Sequence, residues 1–377
     1  MIWFLKVFVP IALSICVFTR CSEQPVQFEE NNVPFIKIAN LLNQTISITD
    51  SSLVVVQEGS TGFSPYVILG EFNEQKCSIL LKYSGFPADI TVSSASLNIG
   101  AEFVYGSGGE KFTATIHEIT STWDEASIPN ITYDSAVLAS FEVDGVVESA
   151  YTVSLPTGLV QRWVDADNDT LQTEEGIFIT FENAGFAKQF LAKGGITLAT
   201  RYMDGDTLLQ VNLQSSQELY IVEGVKEVGG DLIASNYGSH RILMSFNLSS
   251  IPDRSSVNFA ELIMKLDSEN SYIGIATVND FWVSVVESDS WLKNELKISN
   301  IIEASGDLET TSSGTELHII MTGLVQQWVD NKSLNKGMAL TSAKENQDLS
   351  LFTFLFNTAD SLMQPYLKIH YTTFNPF

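Results

Sequence analysis

The chain predicts an all-β protein: two tandem antiparallel β-sandwich domains, jelly-roll-like, each with one short helix. Three observations predict it. A nine-residue phrase occurs twice. Thr157-Gly158-Leu159-Val160-Gln161-Arg162-Trp163-Val164-Asp165 returns 165 positions later as Thr322-Gly323-Leu324-Val325-Gln326-Gln327-Trp328-Val329-Asp330, with one residue changed. Such a repeat implies two copies of one fold. Most other runs alternate with period two, as in Ile79, Leu81 and Tyr83 and in 113–119, which places one strand face on a core and the other in water. Turn signals such as Gly106-Ser107-Gly108-Gly109 and Gly229-Gly230-Asp231 punctuate the runs.

Other landmarks repeat in order. Ala95 and Leu97 match Ala260 and Leu262, Ile79-Leu80-Leu81 match Ile242-Leu243-Met244, Trp123 matches Trp291, and Tyr202 matches Tyr371. The offset drifts by only a few residues, as loops of changing length produce. We expect an export signal over 1–21, a polar tether over 22–45, and domains over 46–207 and 208–377. Each copy is long enough to bury its own core. Val, Ile, Thr, Phe and Tyr suit pleated surfaces, and many short strands argue for sheets packed face to face. A barrel is the alternative.

The repeated phrase breaks the period of two. Leu159, Val160, Trp163 and Val164 fall on one face of a helix. Thr157 is placed to cap its first turn. Trp163 and Trp328 are expected to be core plugs.

Residues 1–21 carry Lys6 and the apolar run 7–18, the pattern of an export signal. Cys21 follows, and a cysteine there points to bacterial lipoprotein processing. A lipid on Cys21 would hold the protein on a membrane without a spanning helix. The expected address is the cell envelope or surface, as an outer-membrane lipoprotein of a Gram-negative bacterium, with secretion as the alternative. Cys77 lies in an apolar strand and reads as a small buried residue.

Forty-five acidic residues against 20 Lys and Arg give a formal charge of −25. That balance argues against nucleic acid, whose backbone is bound mainly by Lys and Arg. It suits an extracellular protein or one that binds cations.

Each copy shows a strand like 79–83 or 242–246, a loop ending in Phe86-Pro87 or Ile251-Pro252, and a Trp in a polar loop. The Thr-x-Leu-Val-x-x-Trp phrase comes next, then a strand led by Gly176 or Gly337, and a last strand ending in Tyr. This order, with Trp123-Asp124-Glu125 in the first copy, resembles the DNRLRE domain family of bacterial cell-surface β-sandwich modules. Some relatives of that family are carbohydrate-binding modules, including ones for acidic polysaccharides. The resemblance implies a non-catalytic surface protein that captures glycan or polysaccharide. A structural or adhesive module that binds a surface protein is the alternative.

Candidate site residues are few. Asp165, Asp167 and Asp169, with Glu174 and Glu175, place oxygen ligands in one acidic stretch, a candidate Ca²⁺ loop. A solvated acidic loop is the alternative reading. The four histidines, His117, His240, His318 and His370, are too scattered for a zinc site and read as strand residues. No Gly-x-Ser-x-Gly elbow or P-loop occurs, and we expect no enzyme. Trp282 has no counterpart in the first copy, so it is less bound to the scaffold and is the candidate aromatic platform for a ligand. Tyr105, beside the Gly-rich turn, is the second candidate.

Overall fold

Alternating sequences form strands along nearly the whole described chain. The computed structural model describes residues 41–55, 61–62, 64–107, 109–126, 130–168, 174–224, 232–237, 240–274, 280–292, 294–312, 314–356 and 363–373. Among the described residues the protein is all-β apart from two short α-helices and one 3-10 turn. The first series of elements runs β1 (Leu41–Val55), β2 (Tyr66–Phe72), β3 (Gln75–Tyr83), β4 (Thr91–Tyr105), β5 (Phe112–Glu118), β6 (Ala139–Val143), β7 (Ala150–Leu155), α1 (Thr157–Asn168), β8 (Ile177–Glu182), β9 (Ala187–Leu191) and β10 (Ile196–Asp204). The second series repeats it: β11 (Thr207–Glu223), β12 (Leu232–Ser235), β13 (His240–Phe246), β14 (Ser256–Lys265), β15 (Asp280–Val285), β16 (Ala304–Thr311), β17 (Gly314–Ile320), α2 (Thr322–Asp330), β18 (Met338–Ser342), β19 (Leu351–Phe354) and β20 (Tyr366–Thr372). Strand β1 begins at Leu41, so the last residues of the expected tether are strand.

The two series pair alike. Leu80 lies opposite Phe178 in the first, and Leu243 opposite Ala339 in the second. Seven strands of the second series close with β1 of the first into an eight-stranded barrel, in the order β1-β13-β18-β15-β16-β17-β14-β20. The first series has the same order around β11, β3, β8, β5, β6 and β7, β4, β10, but β6 and β7 share no ladder, so its ring stays open there. One large apolar cluster fills each ring.

The first strand of each series is exchanged. β1 pairs with β13 and β20 of the second ring. β11 takes the same place in the first ring, between β3 and β10. The registers correspond: Leu42 lies opposite Tyr371, and Leu209 opposite Tyr202. The sheets therefore do not divide along the chain at residue 207.

The helices lie where the repeated phrase predicts. Leu159, Val160, Trp163 and Val164 are buried, as are Leu324, Val325, Trp328 and Val329. Tyr83 stacks on Trp163 at 5.9 Å. Thr157 does not act as the cap. It is the first helical residue, and the Pro156 carbonyl receives the Leu159 amide at 3.1 Å. The matching Thr322 hydroxyl instead accepts the Ala260 amide at 3.0 Å, tying α2 to β14. The glycine before β8 is required sterically. Gly176 has φ +85°, and a Cβ there would lie 2.1 Å from the Leu81 carbonyl oxygen.

Cys77 is fully buried, and burial pushes its thiol well above the ordinary value. All four histidines are on strands. His117 and His240 are buried, and burial pulls the His240 imidazole below its usual range.

Candidate functional site

Several residues that stand out in the sequence serve the scaffold. The Gln161 side chain accepts the Val92 amide at 2.9 Å and donates to Ile90 O and to Asp165 Oδ1. Gln326 repeats this with Val257, Ser255 and Asp330. The recurring phrase is thus a clamp between each helix and its neighbouring strand. Trp123 donates its indole N–H to Glu175 O at 2.7 Å, and Trp291 donates to Lys336 O at 3.0 Å. In the first ring Glu125 Oε1 also accepts the Glu218 amide, so the Trp-Asp-Glu stretch helps hold the exchanged β11.

The described carboxylates of the acidic stretch do not converge. Asp165 receives Gln161, and Asp167 Oδ2 receives the Gly85 and Phe86 amides at 2.7 and 2.8 Å. Glu174 lies 3.5 Å from Arg162, and Glu175 lies 3.1 Å from Lys82. Burial raises the Glu174 carboxyl, and Arg162 opposes that rise. Asp169 lies outside the described residues, as does Cys21. Among the described residues no group of three or more His, Cys, Asp or Glu side chains could share a metal ion.

Tyr105 is not a ligand platform. It is fully buried, and its hydroxyl donates to Gln189 Oε1. Phe103 meets its ring edge-on at 5.0 Å. The turn beside it is polar, but β4 directs this ring inward.

Trp282 is the residue that the fold leaves available. It lies on the outer face of β15, 39% exposed, while its neighbours Phe281 and Val283 fill the core. The alternation along β15 dictates this: the sequence reads in, out, in. Trp282 walls a groove of ≈ 400 Å³ with Ser284, Thr341, Arg241 and Glu345. Thr341 lies directly opposite Trp282 on β18. Arg241 on β13 is held by Glu345 through two parallel bonds, Nε–Oε1 at 2.9 Å and Nη2–Oε2 at 2.7 Å. Paired this way, the guanidinium is a fixed planar surface.

Comparison of the rings explains why a groove exists here. Strand pairing places Trp282 where the first ring has Thr115, Ser284 where it has His117, and Ala339 where it has Phe178. Ile298 takes the place of Tyr133: the Ser299 amide binds Val285 O as the Asp134 amide binds Glu118 O. In the first ring those three rings pack together, Tyr133 on Phe178 at 4.8 Å and on His117 at 5.3 Å. Ser284 and Ile298, smaller than His117 and Tyr133, line the groove beside Trp282, whereas Ala339 is buried with Trp291, Leu296 and Ile298 packed against its cluster. Another groove, ≈ 440 Å³ on the β4, β7 and β10 face, is lined by Ser96, Asn98, Ser154 and Arg201 and has no aromatic wall.

Sequence reasoning found Trp282 through its absence from the first copy. It missed Arg241 and Glu345, which are 104 residues apart and carry no local signal. No family model matches the chain, and no curated protein matches it. A solved structure described as BspA_C_mut aligns over 84% of this chain and 86% of its own at 8% identity, with a TM-score of 0.15, a likeness too slight to bear on fold or function.

Proposed function

We propose that this chain is a non-catalytic binding protein of the bacterial cell surface that captures glycan in the Trp282 groove. The observation that carries the reading is the half-exposed indole beside a groove of hydroxyls and a braced Arg–Glu pair. A flat aromatic face accepts the C–H face of a sugar ring, and few, convergent polar groups fix its orientation. The jelly-roll-like sandwich reading of the two rings as tandem modules rests on the resemblance to DNRLRE domains, while the strands of the second ring close as a barrel, the alternative reading. In that arrangement β1 links anchor to site. Arg241 lies opposite Val54, near the far end of β1 from Leu41. At roughly 3.3 Å per residue the thirteen steps between them span about 40 Å.

Affinity electrophoresis in gels containing soluble polysaccharides tests the reading. At least one polysaccharide should retard the wild type, and Trp282→Ala should remove most of the retardation while leaving the melting curve in place. Ser284→His, which installs the first ring's residue, should also weaken binding by narrowing the groove. Retention of full binding by both variants would refute the assignment.

A protein partner is the second reading. The exposed Ile302 on the groove's lining and its neighbour Ile301 favour it. No retardation by any polysaccharide, with a surface protein captured by the wild type and lost on Ile301→Ser, would select it. The envelope address is tested separately: the wild type should incorporate a palmitate analogue in a Gram-negative host, and Cys21→Ala should not.

A further inference from the structure

Resting on the reading of Trp282 as a glycan platform, we infer that the groove takes an uncharged glycan and discriminates against uronic acid and sulfated polymers. Acidic sugars are captured by a free cation, most effectively by an arginine that can meet a carboxylate with both arms of its guanidinium. Among the described residues that line this groove the one cation is Arg241, and Glu345 already pairs with it in that two-armed geometry, at 2.9 and 2.7 Å. The pair uses two of the five guanidinium N–H groups and cancels the charge, so a ligand carboxylate would either meet a neutralised cation with the Glu345 carboxylate beside it or have to displace Glu345. Breaking such a pair costs more than a single new contact returns.

The rest of the lining is uncharged. Ser284, Ser299, Asn300, Thr341 and Gln347 offer hydroxyls and amides, each able to donate or accept. Those groups match the hydroxyls of a neutral hexose or pentose. The wider field acts in the same direction. The chain carries a formal charge of −25, and Asp280 and Asp307 face each other across β15 and β16, two pairs beyond Trp282 and Ser305. A polyanion approaching this face is repelled, most strongly at low ionic strength.

The first ring strengthens the assignment by contrast. Ser78 stands at the position of Arg241, by the register that pairs Ile79 with Ile179 and Ile242 with Leu340. Its hydroxyl donates to Thr180 Oγ1 at 3.2 Å. The Arg–Glu pair thus belongs to the ring that has the groove.

The test uses the mature chain in affinity gels with three neutral polymers (hydroxyethylcellulose, a mannan and an arabinoxylan) and two uronates (polygalacturonate and alginate), at low and at physiological salt. The wild type should be retarded by a neutral polymer, with little salt dependence and at least tenfold weaker binding in Trp282→Ala. Neither uronate should retard it. Glu345→Gln frees Arg241 and should gain uronate binding that salt abolishes, provided its melting curve matches the wild type; Glu345→Asp serves as a second variant that keeps the charge and should gain none. Wild-type binding to a uronate as strong as to any neutral polymer, lost on Trp282→Ala, would overturn the inference and leave the glycan reading standing. No binding to any of the five would overturn both.

Discussion

A fragment of residues 61–206 is expected to be unfolded, and a fragment of residues 61–223 is expected to fold. The two differ by β11. In the complete chain β11 fills the place between β3 and β10, with pairs from Ser215–Tyr83 to Glu223–Lys76 on one side and Thr197–Gln214 to Asp204–Thr207 on the other. Removing it strips the ladder from two strands and opens the core, where Tyr220 is fully buried and Leu213 and Val222 pack against the first cluster. The loss exceeds the net stability of a domain, about 5–15 kcal/mol. Circular dichroism and thermal melting decide the matter. A cooperative melt from the 61–206 fragment would show that the exchanged strand is dispensable. Starting both fragments after β1 matters, because β1 has the same register pattern as β11 and could occupy its place.

The second large effect is expected at Lys188. Its side chain is fully buried on β9, and its ammonium sits within the turn between β6 and β7. It donates to Asp144 O at 2.9 Å, Val146 O at 2.6 Å and Tyr151 Oη at 2.6 Å, with Asp144 Oδ1 and Ser149 Oγ each at 3.0 Å. The aliphatic stem passes through the core, while the charge reaches oxygen acceptors at the rim. This is also the seam where the first ring stays open. In the second ring, where β16 and β17 pair and the ring closes, β19 brings Phe352 and Phe354 into the core. Lys188→Met keeps the stem and removes the charge. It should lower unfolding free energy by about 3 kcal/mol, the low end for a broken buried pair, because Asp144 is near enough to the surface to regain water.

The same site gives a pH signature. Hydrogen bonds from Ser149, then from Lys188 and Tyr151, with the Lys188 charge, hold the Asp144 carboxyl well below the usual carboxylate range. A carboxyl lowered in the folded state contributes stability that is fully present above about pH 4 and is lost as pH falls below it. Denaturant unfolding of the wild type at pH 7 and pH 3 should show that loss, and Lys188→Met should show less of it. Equal acid sensitivity in the two proteins would remove Lys188 from the account.

Much of the scaffold is legible from residue order. The strands 79–83 and 242–246, both helices and the burial of Trp163 and Trp328 follow from which positions repeat and with what period. Trp282 was legible for the opposite reason, since a large aromatic present in one copy alone is not required by the shared core. Tyr105 misled because a polar turn beside a residue says nothing about which way its strand points it. In the acidic stretch the described carboxylates serve the backbone and neighbouring cations, partners that a run of acids does not announce.

The sequence by itself determined that strands dominate, that they come in two matching series, and where each helix lies. Those properties are local: period and turn chemistry act within a few positions along the chain. Only the tertiary structure decided which ring each first strand completes, that Glu345 pairs with Arg241, and that Ser284 and Ile298 line a groove where the first ring packs His117 against Tyr133. Each of these depends on contact between distant segments. A strand pattern such as that of β1 or β11 satisfies either ring's ladder equally well, so the choice between them rests on which neighbours the folded chain brings within reach.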